Sequence, residues 1–507
     1  MRKLSALFNR IAANPLEELQ VGLQSGIHKL FPTVDSLFNV FKLESPPSHI
    51  QADFSFSTFP LASLLGRNPT MIASQIIEYF SRDPFLFMER LFAVGPYVNI
   101  ALNKNAFNKQ ALRHLFKEGI NFGSKKNKNR MPIIINYHVA DFLEPLSIDG
   151  LRQLLIGRVV GLCHQRLDNI VLHNYYLANW NANALGFLFT LQKWPDQVNK
   201  SDDPFKILRD SNDFLQAEIS NTKEVKALLK IFFRSLEAGD KVFVRSFQKW
   251  NDILLRQLKD FHRTLGVSLS SYSAESDFIE LSKNIVSDAL TKGIASDLPH
   301  TEAVITLPFE NDGSLVLQKH DGSSTYLSRH LASLKDLMVK IHPAEIINIY
   351  TDNSAELADE ILHTIKRLNY SNEDVKISSL VINRSQENIQ YPMTDKALHY
   401  ALLRMPTNRK IIINDENKAC YIRLARLVNS AEEGSSDNNE DDIFNIIKRL
   451  LVLPTILAEV RKNHAPNLLC NYLEEILEQY EKLPNHNHQL IGAVKIVIKS
   501  GLNILSL

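Results

Sequence analysis

Catalysis by a protein chain needs a nucleophile, an acid–base pair, a metal ligand set or a cradle for phosphate, and each can be sought by residue type and spacing. Among sixteen histidines, His486 and His488 stand near each other, but no ligand set at metal spacing surrounds them, so they read as a polar turn between helices. No glycine-rich phosphate loop of the P-loop or G-x-G-x-x-G kind is present. No G-x-S-x-G elbow or Cys/His pairing offers a nucleophile. Two candidates remain. Lys125, Lys126, Lys128 and Arg130 form a basic run that could grip a phosphate backbone, or serve only as a solvated linker. The loop before Leu151, which follows a strand, meets a helix N-terminus, where unsatisfied N–H groups favour a ligand.

The elements that would position these groups follow from periodicity. Ile133–Asn136 is a buried-strand run, Leu151–Leu167 places Leu151, Leu154, Leu155, Val159 and Leu162 on one helix face, and Ile170–Leu172 is a second strand. Strand, helix and strand in so short a span predict a βαβ unit with parallel strands and a right-handed crossover. Upstream, Thr70–Phe80 predicts a helix entered at Pro69, and Tyr97–Leu102 alternates as a strand. Residues 205–290 read as a helical insertion. Strand character returns over Thr301–Leu317 and Ile346–Tyr350, and Ala355–Leu368 reads as a helix. Beyond Asp395 nearly everything reads as helix, including Pro466–Leu483 and Leu490–Leu505, while the acidic stretch Glu432–Asp442 reads as a solvated linker.

The chain has 507 residues, 45 % of them hydrophobic, with 57 Lys and Arg against 56 Asp and Glu. It is too apolar for a disordered chain and too evenly charged for a basic tail that coats nucleic acid. The length allows about three domains. Cys163, Cys420 and Cys470 are too scattered for a disulfide framework, which makes a reducing compartment the default. No apolar run reaches the ~18–20 residues of a bilayer span. The first thirteen residues are basic and amphipathic, with no acid before Glu17. That is the composition of an organellar transit peptide, and equally of an ordinary first helix.

Five ordered stretches resemble arginyl-tRNA synthetases. Ala52-Asp53-Phe54 through Leu64-Leu65-Gly66-Arg67-Asn68-Pro69 is similar to the family's early GDYQ…AKKLGKNP, and Gly95-Pro96-Tyr97-Val98-Asn99-Ile100 to GPGFINI. Asp321 through Ala332 resembles SDGTPTYLTRDIA. Asp395–Tyr400 with Tyr421–Ala425 resembles the opening of the DALR bundle and its YVQYA helix, and Ser500–Leu505 resembles the terminal NGLDLLGI. The resemblance implies an α/β plus all-α architecture. An N-terminal α+β accessory domain would occupy residues 1–124. A class I Rossmann-like parallel-sheet domain carrying the insertion would occupy 131–394, and a helical anticodon-binding bundle 395–507.

The same resemblance locates the chemistry, and there the residues depart from the family. Class I synthetases activate an amino acid by attack of its carboxylate on the α-phosphate of ATP, so the protein supplies donors and cations around phosphate. The place of His-Ile-Gly-His reads Ser147-Ile148-Asp149-Gly150, which removes both imidazoles and adds an acid. A family lysine upstream corresponds to Glu144, turning attraction into repulsion. The GDWG motif corresponds to Ala178-Asn179-Trp180-Asn181. The acid that faces the substrate guanidinium is His330, while Tyr326 matches the family's pocket tyrosine; imidazole cannot accept the two parallel N–H bonds that a carboxylate accepts. The lysine-rich mobile loop corresponds to a segment holding Arg384 and no lysine.

These residues predict an amino-acid pocket at Tyr326, His330, Asn179 and Trp180, and a vestigial catalytic position at Ser147–Gly150. On the bundle helix the resemblance implies RNA contact through Tyr421, Arg423 and Arg426, joined by Lys125 and Lys126 of the linker. The expected protein binds tRNA, most simply an arginine tRNA, with ATP-dependent ligation impaired or lost. The alternative is a divergent active ligase, in mitochondria. ATP enters as a cofactor only if ligation survives. No metal, membrane or DNA is expected, a protein partner is open, and the location is the mitochondrial matrix or the cytoplasm.

Overall fold

In the computed structural model, the described residues are 14–33, 43–127, 129–139, 147–197, 203–297, 303–308, 314–370, 375–383, 392–411, 413–430, 440–483 and 487–507. They gather into two compact units, one of Met1–Gly123, Arg423–Leu457 and Tyr472–Leu502, the other of Ser124–Ile422, Ala458–Asn471 and Asn503–Leu507. No helix among the described residues is long and apolar enough to cross a membrane.

The first unit contains an antiparallel sheet of β1 (Phe54–Ser57), β2 (Met88–Val94) and β3 (Tyr97–Leu102), ordered β1-β3-β2. Helix Pro69–Arg82 begins where its pattern predicts, with the Asn68 side chain accepting from the Thr70 and Met71 amides, and it buries Ile72, Ala73, Ile76 and Phe80. The end of the acidic stretch is no linker: Glu440, Asp441 and Asp442 form the first turn of helix Glu440–Leu450, where carboxylates complement the helix dipole. Lys104 lies 2.6 Å from Asp441 and 3.4 Å from Asp53. Residues 431–439 lie outside the described set.

The second unit is built on a five-stranded parallel sheet. It comprises β4 (Pro132–Val139), β5 (Ile170–Leu177), β6 (Ser271–Ala274), β10 (Glu345–Thr351) and β11 (Lys376–Ile382), ordered β11-β10-β4-β5-β6. The predicted βαβ unit is β4, helix Ile148–Arg166 and β5, with Pro132 opposite Ile170 through Val139 opposite Leu177. That helix is buried on almost every side rather than along one stripe. Glycine lets it approach: a Cβ on Gly157 would lie 2.3 Å from the Tyr137 ring, and one on Gly161 2.6 Å from the His173 ring. Those two rings stack and join through a 2.8 Å Tyr137 hydroxyl–His173 Nδ1 bond.

Two expectations change. The helical insertion does not run to residue 290. It spans Pro204–Thr264, after which Ser271–Ala274 adds an edge strand and helix Ile279–Thr291 returns to the core. Four residues, two of them serine, carry too little alternation to announce a strand; partners define it, since Ser271 and Ser273 Oγ donate to Asn174 Oδ1 at 2.6 and 2.9 Å. The strands of 301–317 do not rejoin the parallel sheet. β8 (Ala303–Pro308) and β9 (Ser314–Lys319), with the two-residue β7 (Ser296–Asp297), form a separate antiparallel sheet.

A polar row crosses the centre of the parallel sheet. Asn136 stands in register with Asn174 on one side and Asn348 on the other. Asn174 Nδ2 donates to Asn136 Oδ1, and Asn136 Nδ2 to Asn348 Oδ1, each at 2.8 Å. The Asn136 and Asn174 amides are paired on both sides, while Asn348 Nδ2 has no hydrogen-bond partner among the described residues.

Arg152, on the first turns of helix Ile148–Arg166, is fully buried. Its hydrogen bonds end on carbonyls: Nε on Leu402, Nη1 on Asn383 and Arg409, and Nη2 on Met405 and Pro406, at 2.8–3.3 Å. Burial pulls its pKa down to about 10, against the opposing charge of Asp149. Three acceptors lie at the end of helix Lys396–Arg404, where partial negative charge accumulates. Replacing Arg152 with Leu strands these carbonyls, and should cost about 3–5 kcal/mol. A denaturant midpoint within about 1 kcal/mol of the parent would contradict this role.

Candidate functional site

Ligands of parallel α/β sheets bind beyond the carboxyl ends of the strands. Here β4, β5 and β10 end in His138, Tyr176 and Tyr350, each one residue before the last. The His138 ring stacks on Tyr350, with centroids 4.4 Å apart and planes 15° from parallel, and lies 5.3 Å from Tyr176. His330, from helix Tyr326–Ile341, closes the group at 4.2 Å from His138 and 4.7 Å from Tyr176. Its Nε2 is 3.3 Å from the Tyr350 hydroxyl. All four side chains are buried. Burial drives the His138 pKa down to about 3 and that of His330 well below 6.5, so both rings are neutral. His138 Nδ1, His330 Nδ1 and the Tyr176 hydroxyl have no hydrogen-bond partner among the described residues.

Beside this cluster lies a cavity of about 1000 Å³ lined in part by Trp180, Lys230, Arg234, Lys319, Tyr326 and Arg329. Its floor is an ion-pair network. Arg329 Nε and Nη2 donate to Glu275 Oε1 at 2.8 and 2.6 Å, and Nη1 donates to the Ser324 carbonyl at 2.8 Å. The Trp180 amide donates to Glu275 Oε2 at 3.2 Å, and its indole N–H to Glu237 Oε1 at 3.1 Å. Ser324 donates to Glu237 through both amide and hydroxyl. Burial raises the Glu275 carboxyl above its ordinary value, against the pull of Arg329. The network binds one guanidinium between carboxylates, and the chain supplies that guanidinium itself.

Of the four residues predicted for the amino-acid pocket, Trp180 and Tyr326 line the cavity, and Asn179 and His330 do not. Asn179 is fully buried, its Nδ2 donating to Asn251 and Ser276 side chains at 2.8 and 3.0 Å and its Oδ1 accepting from the Ser276 amide at 3.0 Å. His330 belongs to the aromatic cluster. Sequence reasoning missed Glu237, Glu275 and Arg329. Arg329 stands beside His330 in the stretch that resembles SDGTPTYLTRDIA, whereas the two acids come from distant segments that carry no signal.

At the other predicted position, Ser147 caps the helix, its Oγ accepting from the Gly150 amide at 3.1 Å. Asp149 lies in the first turn, while Ile148 and Gly150 are buried. The helix start is thus served by its own side chains. Glu144 and Arg384 lie outside the described residues.

The predicted RNA contacts are dispersed. Lys125 and Lys126 are exposed, but the linker is tied down by Arg130, whose pairing with Asp168 holds that carboxyl below its ordinary range. Lys128 lies outside the described residues. On helix Asp415–Asn429, Tyr421 is half-buried with its ring 6.1 Å from that of Tyr400, rather than an open stacking face. Arg423 pairs with Glu481, and Arg426 is exposed.

Known proteins resemble this chain in sequence and in fold. Residues 111–383 match the family described as tRNA synthetases class I (R), catalytic domain, and residues 17–102 match the arginyl tRNA synthetase N terminal domain. The chain belongs to the arginyl-tRNA synthetase family. It is 26 % identical over 293 residues to an arginine–tRNA ligase of Pediococcus pentosaceus, covering 58 % of this chain and 51 % of the relative. With that of Lactobacillus acidophilus it is 24 % identical over 329 residues, 65 % of this chain and 57 % of the relative. The match thus spans little more than half the length of these curated relatives. The fold resembles Thermus thermophilus arginyl-tRNA synthetase, with a TM-score of 0.73 at 14 % identity over 96 % of this chain and 98 % of that one. The Plasmodium falciparum enzyme gives 0.72 at 14 % identity over 97 % and 98 %.

Neutral buried histidines make stability depend on acid. His138 at about 3, and His164, His173 and His262 at about 4, lie below their ordinary 6.5, so the unfolded chain takes protons first as pH falls. Stability is full above about pH 6.5 and declines toward pH 4, by about 1.4 kcal/mol per group for each pH unit over which the unfolded ring is protonated and the folded ring is not. Thermal melts from pH 7.5 to 4.5 should show this fall, and His138→Phe should make it shallower by one group's share. A pH-independent melt would refute the assignment.

Proposed function

We propose that this chain is a tRNA-binding member of its family, that its partner is an arginine tRNA, and that ATP-dependent ligation of arginine is lost or strongly impaired. The observation that carries this reading is the filled crevice: His138, Tyr176, Tyr350 and His330 occupy the strand ends where a class I nucleotide fold holds its ligand. The residues around it do not fit a triphosphate. Asp149 brings negative charge to a helix start already capped by Ser147. In the neighbouring cavity Glu275 is engaged by Arg329, so an arginine ligand would have to compete with an internal guanidinium whose attachment is intramolecular.

Activation of arginine needs stabilisation of phosphate charge in the transition state, and removing one such donor costs on the order of 10²–10³ in rate. Both imidazoles, the substrate acid and the loop lysines are replaced together. Such losses do not simply add, yet no substitute cations are assembled at the strand ends among the described residues. Binding of RNA makes no such demand, since it needs only exposed bases such as Arg426.

The alternative, a divergent active ligase in mitochondria, draws its support from the cavity beside Trp180 and Tyr326. Its mitochondrial setting rests on residues 1–13, outside the described set.

ATP–pyrophosphate exchange with arginine, in the presence of arginine tRNA, separates the two readings. The expected rate is at least about 10³-fold below that of a bacterial arginine–tRNA ligase. Salt-dependent tRNA binding should persist and weaken several-fold in Arg426→Ala. Robust exchange would overturn the impaired-ligase reading, and absence of tRNA binding would overturn the binding reading.

A further inference from the structure

The helical insertion contains a charged surface that neither the cavity nor the bundle helix uses. Helix Lys241–Thr264 is 24 residues long, about 36 Å at 1.5 Å per residue. At about 100° per residue, Lys241, Arg245, Lys249, Arg256, Lys259 and Arg263 fall within a sector of about 80°. All six are exposed. Phe243, Phe247, Trp250, Leu254 and Leu258 lie on the opposite side; Leu254 and Leu258 are buried, and Trp250 packs edge-on against Phe187 at 4.7 Å. The apolar face is therefore committed to the protein, and the basic face is directed outward.

The bases on this face are little neutralised. Arg263 pairs with Asp260 at 2.8 Å, and Lys259 lies over the Tyr272 ring at 5.1 Å. Asp252 shares the sector, but the contact Arg256 makes to it is from Nε to its backbone carbonyl, at 3.1 Å. Among the described residues, no ion pair joins Lys241, Arg245, Lys249 or Arg256 to a carboxylate. Like charges at i,i+4 destabilise a helix, so Lys241, Arg245 and Lys249 repel where a mixed surface would not.

We propose that this face docks the phosphate backbone of RNA, as a second contact surface separate from helix Asp415–Asn429. The complementarity is electrostatic and geometric: three bases recur at one per turn, about 6 Å apart, along a rigid rod whose far side is anchored. Shape and phosphate contacts, without base readout, are what such a row can recognise in a double-stranded RNA arm. An anionic membrane fits less well, because interfacial helices turn large apolar side chains to the lipid and here that face is buried. The proposal shares with the preceding one only the premise that RNA is the partner.

The test uses the full chain, labelled arginine tRNA, and salt from about 50 to 200 mM. In Lys241→Gln/Arg245→Gln/Lys249→Gln, loss of three phosphate contacts should make the slope of log affinity against log salt shallower by about 2–3. It should also weaken binding roughly ten- to 10²-fold near 0.1 M salt. A charge-matched control, Lys29→Gln/Lys366→Gln/Lys462→Gln, should leave the slope unchanged, and all proteins should melt within a few degrees of the parent. An unaltered slope in the triple variant, or an equal change in the control, overturns the proposal. So does a triple variant that loses only binding to anionic phosphatidylserine vesicles. If Arg426→Ala alone weakens binding, this surface is refuted while tRNA binding through the bundle stands. If the triple variant alone weakens it, this surface stands and the bundle contact fails. If the parent chain binds no RNA, both fail.

Discussion

A guanidinium taken out of water must be answered in full, and Arg152 is answered by carbonyls alone among its hydrogen-bond partners. That requirement draws the segment after β11, the end of helix Lys396–Arg404 and the loop beyond it onto the start of helix Ile148–Arg166. Once the helix is fixed there, Gly157 and Gly161 seat it against Tyr137 and His173 on one face of the sheet, and the polar row Asn174–Asn136–Asn348 lies on the other. The strand ends then have one direction in which to present His138, Tyr176 and Tyr350.

What stands at those ends is packing rather than an open site. Neutral imidazoles and phenols gather where a nucleotide-binding sheet would leave room, and three of their polar atoms go without hydrogen-bond partners among the described residues. Next to them, Glu275 and Glu237 surround Arg329. Carboxylates suited to a guanidinium ligand are already satisfied inside the protein, and the remaining cavity is lined by bases as well as acids.

The near-equal totals of acids and bases are unevenly arranged. Acids sit at helix starts, as Asp149 and Glu440–Asp442 do, or are spent in the Arg329 network. Arg152 and Arg329 are buried, while the bases on helix Lys241–Thr264 and Arg426 stay in water. Neutrality of the whole chain therefore says little about any one face.

Much of this was legible in one dimension. Periodicity located helix Ala355–Leu368 to the residue and the βαβ unit within a few, because buried stripes repeat at the spacing of the helix or strand. Ordered motif stretches disclosed the family because local sequence survives in them, and Tyr326 of one such stretch lines the cavity. Composition could not disclose β6, whose four residues are a strand only because Asn174 and β5 pair with them. Nor could it disclose that Glu237, Glu275 and Arg329 meet, that Asn179 turns away from the cavity, or that His330 closes an aromatic cluster. Local spacing dictates local conformation. Which side chains satisfy one another depends on elements brought together from distant parts of the chain, and that is set by packing.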